Sequence, residues 1–316
     1  MRKRRHHYIP EVLCKRFTKD WRTFFRLDST KKEDGAISMS IKDAFVEKDL
    51  NTINLSGTNN TTIFEDFIDK CYERTFGKSI NKVFRILFEN EMNNVFEPED
   101  YFNILNFCIL SYLRTPKKLR EIHIQSLRRS YLFSIFPKPG VDIPVVDKNY
   151  ILSMTLIEGV NAILKHIKGI TLRIAYHTFE DEYFLLPDNP VALVNSNNME
   201  FTSPDLDIIL PISSNVVLIF SKTEKSSDIT HIIKRETIEN INKQLCDDFS
   251  RYIACADKKY LEDFMSRNKP EPYILPKIED IEAEKDVIIG EIKEELKKNP
   301  IGRYIKISKK GIEFLN

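Results

Sequence analysis

Lys168-Gly169-Ile170-Thr171-Leu172-Arg173-Ile174-Ala175-Tyr176-His177 is the stretch at which the chain changes texture. Before it, apolar residues recur at three- and four-residue steps, the helical period. From Ile170 onward they come in short β-rich runs closed by turn residues, the pattern of strands. The runs that follow are Tyr183–Leu186, Val191–Val194, Leu206–Leu210 and Val216–Ser221, and together they predict a mostly antiparallel sheet. Helices segregated from a later sheet make the expected class α+β.

Upstream of this stretch, Ile63, Phe67, Cys71, Phe76, Ile80, Val83 and Leu87 fall on one helical stripe. Thr62 and Glu65 have capping-box spacing at its start. Pro98 opens a second helix that runs to Arg114-Thr115-Pro116, where proline ends or kinks it. Basic helical sequence then resumes through Arg129. Pro137, Pro139-Gly140 and Pro144 form the clearest breaker region, and a third helix follows from about Asp147 to His166. Nearer the start, Arg22–Leu27 and Ala36–Ile41 form a predicted hairpin, and residues 42–60 read as a loop with a short helix around Ala44. Pro10 followed by Val12, Leu13 and Phe17 predicts an N-terminal helix.

Downstream, helices are expected over Arg235–Ala256 and Tyr260–Ser266. A charged helix is expected over 277–298, and a closing hairpin from Tyr304–Ile307 and Gly311–Leu315. The division that follows is one α+β domain over 1–268 and a charged helical extension over 269–316.

Composition describes a soluble globular chain: 42% hydrophobic and 30% charged over 316 residues, with no apolar run long enough to span a membrane. The basic start has no apolar segment behind it, so no signal peptide is expected and the cytoplasm is the predicted location. Five scattered cysteines without a CxxC pair point to buried thiols rather than zinc or disulfides. Net charge is +1, yet residues 1–26 carry nine lysines and arginines against Glu11 and Asp20, which leaves the remainder acidic. Such a basic end predicts a polyanion contact, with RNA favoured over DNA.

None of the nine glycines lies in a P-loop, dinucleotide fingerprint or nucleophile elbow, and HExxH is absent. Three polar clusters set in hydrophobic sequence remain: His6-His7-Tyr8, Arg114-Thr115-Pro116 and Asp188-Asn189-Pro190. Each also has an ordinary structural explanation, as a tail, a helix C-terminal cation and an Asx turn.

In this order the clusters resemble the bacterial domain-of-unknown-function family 4238. Its members open with His-His or Gln-His before Tyr-x-Pro, carry Arg-Thr-Pro after an apolar helix, and have Ser-Asp-Asn-Pro-Val later. Here Pro187 stands in place of that serine. Pro211-Ile212-Ser213-Ser214 and an asparagine, Asn240 or Asn242, are similar to further family positions. The resemblance covers residues 4 to 265 and brings no established activity; it implies a cytosolic bacterial protein of the kind found in defence or toxin gene sets.

The expected function is phosphodiester hydrolysis, RNA-directed. His7 is the general base or a metal ligand, His6 a second proton carrier, Arg114 a bidentate phosphate clamp, and Asp188 the residue that orients a histidine or binds a metal. Arg4, Arg5, Tyr8, Lys15, Arg16 and Asn189 are expected to bind the strand. No cofactor and no metal ligand set is predicted, with a divalent metal left open. The alternatives are a binding module, with Arg114 paired to Asp188, and a hydrolase or transferase of a small phosphorylated molecule.

Overall fold

The computed structural model describes residues 5–48, 63–89, 96–122, 124, 148–167, 169–194, 201–223, 228–275, 287, 289, 290, 294, 305–308 and 311–314. The chain divides into two compact units. One comprises Met1–Leu119 and Val146–Leu275, the other Arg120–Val145 and Pro276–Asn316. The class is α+β.

The helices of the first unit follow the apolar stripes. α1 (Glu11–Cys14) continues into a 3-10 turn at Lys15–Phe17, and Leu13, Cys14 and Phe17 are buried. α2 (Ile63–Ile68) and α3 (Arg74–Phe88) are joined by a π-helical turn, Asp69–Glu73, that periodicity alone does not reveal. Pro98 is the first residue of α4 (Pro98–Leu113), which opens with a reciprocal capping box between Glu97 and Asp100. α3 and α4 meet through Phe76 and Phe107, stacked at 3.6 Å between ring centres. α5 (Lys148–His166) sets Gly159 against Leu113 of α4. Thr62 of the expected capping box and the breaker prolines 137, 139 and 144 lie outside the described residues.

The strands form two main sheets. We number them β1 (Arg5–His7), β2 (Thr23–Asp28), β3 (Ile37–Ser40), β4 (Val46–Lys48), β5 (Thr171–Tyr176), β6 (Leu186–Pro187), β7 (Ala192–Val194), β8 (Asp207–Pro211), β9 (Val216–Ser221), β10 (Asp228–His231) and β11 (Tyr252–Cys255). One sheet has the order β10-β5-β9-β8-β7, antiparallel except for the parallel pair of β10 with β5. The other has the order β3-β2-β11-β6 and is antiparallel throughout. The predicted N-terminal hairpin is therefore present as β2–β3, and it belongs to a sheet completed from the far end of the chain. β1 pairs with β4 as a separate ribbon.

Two expectations are corrected. The helix expected over Arg235–Ala256 ends at Cys246 (α6, Arg235–Cys246), and Tyr252–Cys255 is the interior strand β11. The backbone N–H groups of Ser250, Arg251 and Tyr252 donate to the Asp188 carboxylate at 2.7–3.1 Å, which draws this segment into the sheet instead of a helix. The short helix expected near Ala44 is a turn leading into β4. Phe45 there has φ 51°, a conformation a bulky residue adopts only when its surroundings hold it. Its carbonyl accepts from Tyr8 N at 3.0 Å, and its buried ring contacts Tyr8, Phe24 and Tyr252.

α7 (Lys258–Asn268) packs Leu261 and Phe264 into a core with Leu27, Leu185, Phe249 and Ile253. In the second unit, residues 287, 289, 290 and 294 are helical, and β12 (Ile305–Ser308) pairs antiparallel with β13 (Gly311–Phe314) as the sequence predicts. Among the described residues no helix is long and apolar enough to cross a membrane.

Candidate functional site

His7 ends β1, opposite Val46 of β4, and is half-buried. Pro10 caps α1 in an extended conformation and turns the chain so that Glu11 lies beside the imidazole. His7 Nε2 is 3.4 Å from Glu11 Oε1. The two side chains form one wall of an open cavity of about 520 Å³. Glu65 and Asp66 of α2, Asp69 and Glu73 of the π turn, and Arg74 of α3 form the other wall. The cavity is thus strongly acidic, with five carboxylates against one arginine and one imidazole.

Arg114 lies behind the acidic wall and is only 2% exposed. It caps the C-terminus of α4, where its backbone N–H donates to Leu110 O. Nη1 donates to Glu73 Oε1 at 3.0 Å and Nη2 to the His7 carbonyl at 2.7 Å. Burial pushes the Glu73 carboxyl above its ordinary range, and Arg114 opposes that shift. The guanidinium therefore ties the strand that carries His7 to the π turn. Both terminal nitrogens of its fork, expected to clamp a phosphate, bond within the fold.

The remaining residues of the second motif stop one helix and start the next. Thr115 Oγ1 donates to Tyr112 O at 2.9 Å and accepts from Lys118 N at 3.3 Å, while Pro116 begins the helical segment at 116–122. Lys117 forms an ion pair with Asp248, whose other oxygen accepts from Asn189 Nδ2 at 3.0 Å. Lys117, which follows the second motif, and Asn189 of the third thus meet at Asp248. Beside this junction is a smaller cavity of about 270 Å³, bounded by Tyr112, β7, Gln244 and Asp247.

Asp188 is 1% exposed, and its carboxylate accepts from the backbone N–H groups of Ser250, Arg251 and Tyr252. Burial outweighs the backbone hydrogen bonds and holds its carboxyl up at about 6. The structure brings His7 and Arg114 together and gives Asp188 a different set of partners. The expected pairing of Arg114 with Asp188 is replaced by Arg114 with Glu73.

Of the expected strand-binding residues, Tyr8 is buried, Lys15 is exposed, and Arg16 donates to Asn81 Oδ1 at 2.5 Å while lying 4.1 Å over the Phe84 ring. Asn189 is buried at the Asp248 junction. Arg5 and His6 pair through their backbones with Lys48 and Glu47, and Arg4 lies outside the described residues.

Two sets of residues escape motif reasoning. The acidic wall was legible in outline, since Glu65, Asp66, Asp69 and Glu73 recur at helical spacing and Glu11 stands four residues after His7. Asn242, fully buried, accepts from Leu185 N and donates to Tyr183 O and Tyr260 Oη; only the family resemblance hinted at it.

Among the described residues no three His, Cys, Asp or Glu side chains converge closely enough to hold a metal ion. No curated protein matches the chain. No solved structure matches it either. A family model does, over residues 5–135 and 149–259, a span that takes in all three motifs. The chain belongs to the family described as Protein of unknown function (DUF4238).

Proposed function

We infer that the protein is a cytoplasmic hydrolase of phosphodiester bonds, acting on RNA at the cavity around His7. The observation that carries this is the 3.4 Å approach of His7 Nε2 to Glu11 in an open cavity. A carboxylate beside an imidazole sets its tautomer and steadies the proton it takes up, which is what a general base requires. Arg114 and Asp188 act as positioning residues, the first by holding the His7 backbone and the second by fixing β11.

The acidic wall adds a requirement. Five carboxylates line the cavity, two of them paired with Arg114 and Arg74, and the remaining negative charge repels a bare phosphate, so the strand would enter with a divalent counterion. Hydrated Mg²⁺ suits this setting, because it takes one or two carboxylates and completes its shell with water and substrate phosphate rather than an all-protein cage.

The test is turnover of end-labelled RNA by purified protein in Mg²⁺ and in chelator. His7→Ala should lower kcat by about a hundredfold or more, the usual worth of a positioned general base. Glu11→Gln should lower it less, and chelator should abolish it. Equal turnover by wild type and His7→Ala removes the proposal. A non-enzymatic binding module is the second reading, favoured by the buried, internally bonded state of Arg114 and Asp188. Background-level turnover together with salt-sensitive RNA binding unchanged in His7→Ala would select it.

A further inference from the structure

α3 leaves a single row of its side chains in solvent: Arg74, Lys78, Asn81, Arg85 and Phe88, at steps of four, three, four and three. This is one face of a helix, and it carries three cations and no carboxylate. Arg74 pairs with Asp69 at the rim of the His7 cavity. Lys78 and Arg85 form no ion pair among the described residues. From Arg74 to Phe88 the row covers about 21 Å at the α-helical rise.

At its far end the row runs into a ladder of rings. Arg16 lies over Phe84, Phe84 stacks with Phe88 at 6.0 Å, and Phe88 meets Tyr176 edge-on at 6.2 Å. Tyr176 in turn stacks on His231 at 4.9 Å, across the parallel pair of β5 and β10. Phe88 is 48% exposed and His231 is exposed, while Phe84 and Tyr176 are half-buried, so the ladder lies at the surface and opens to solvent at Phe88 and His231.

Cations in a line that ends on partly exposed rings are the chemistry of single-stranded nucleic acid. The charges follow the backbone, and the rings take unpaired bases by stacking, which a duplex cannot supply. We propose that the exposed row of α3 and the Phe88–Tyr176–His231 ladder form a track for single-stranded nucleic acid leading to the His7 cavity. The track deepens the hydrolytic function inferred above and rests on it for the destination of the strand, while its existence depends only on the charge and ring arrangement.

The experiment is fluorescence anisotropy of a labelled twelve-residue oligouridine with the full chain, in chelator to stop turnover, over a salt series. Each variant's melting temperature is checked against wild type. Lys78→Glu/Arg85→Glu should weaken binding about tenfold or more at low salt. It should also flatten the plot of log K against log salt by roughly 1.4, at about 0.7 for each lost phosphate contact. Phe88→Ser should weaken binding about fivefold to a hundredfold, the worth of one stacked base, with no change of slope. An unlabelled RNA duplex of the same length should compete poorly.

Binding by either folded variant within twofold of wild type overturns the track, as does a duplex that competes as well as the single strand. The two proposals fail separately. Weakened binding in both variants without His7-dependent turnover removes the hydrolytic function and keeps the track. His7-dependent turnover with unaltered binding removes the track alone.

Discussion

Replacing Arg114 by Met keeps most of the side-chain volume and deletes the guanidinium. Two contacts go with it, the 3.0 Å ion pair to Glu73 and the 2.7 Å bond to the His7 carbonyl. Removing one partner of a buried ion pair costs about 3–5 kcal/mol, because the other charge stays buried and unpaired. The orphaned His7 carbonyl adds about 1 kcal/mol. For a unit of this size the combined loss of about 4–6 kcal/mol is on the order of 8–24 °C in melting temperature. The cost also has a pH signature. Burial already raises the Glu73 carboxyl, and removing Arg114 raises it further, so the folded variant gains a proton before the unfolded chain does. Stability of the variant relative to wild type should therefore recover as pH falls through the Glu73 carboxyl's raised range, and be poorest near neutrality. Arg114→Met/Glu73→Gln should regain most of the loss at pH 7. The assay is thermal and urea unfolding followed by circular dichroism from pH 4 to 8. An Arg114→Met protein melting within about 2 °C of wild type at pH 7, with no pH dependence of the difference, refutes the argument.

Asp188 should impose a pH dependence of its own. Its folded carboxyl stays protonated up to about 6 while the unfolded one ionises near the ordinary 3.8, so its contribution falls as pH rises across that window, by about 3 kcal/mol in all. The difference in urea stability between wild type and Asp188→Asn should show this slope between pH 4 and 6 and level off above it. Asn242→Ala removes a buried amide that satisfies three groups, and should cost about 2–4 kcal/mol by the same measurement. Trp21 is 63% exposed with φ 62°; Trp21→Asn, which tolerates that conformation, should raise stability by about 0.5–1 kcal/mol.

The elements that sequence shows most clearly are those whose period is undisturbed along one local stretch. The stripes at 74–88 and 98–113, the strand runs at 171–176 and 216–221 and the hairpin at 23–40 are all of this kind. What escapes is set by partners far away in the chain. Tyr252–Cys255 carries enough apolar residues to extend α6, and it is a strand because Asp188, 62–64 residues earlier, holds its backbone. β4 exists because Tyr8 pairs with Phe45. The same limit applies to the site. His7 was legible from its place before a helix, yet the residue that fixes its strand is reached only through α4, and the opposing wall sits on a π turn that follows an unbroken helical pattern. Arg114 and Asp188 stood out by type and setting, which cannot tell a side chain that does chemistry from one that holds the chain still.

The break at Thr115 explains how one short motif serves both cavities. In an uninterrupted α-helix, residues three apart lie on the same face, so Arg114 and Lys117 would point toward one set of neighbours. α4 instead stops at Arg114, Thr115 caps a new helix, and Leu119 N donates to Thr115 O as the first bond of the restart. The two cations are thereby separated: Arg114 turns to Glu73 and His7, Lys117 to Asp248 and Asn189. Each neutralises a carboxylate that the fold has buried or half-buried, and each holds an element that has no covalent neighbour in this part of the chain, β1 in one case and the Asp188-Asn189 turn in the other. A continuous helix could not divide its charges in this way. The motif is therefore best understood as the joint that sets the His7 strand against the sheets, and the proposed hydrolysis rests on His7 and Glu11 alone.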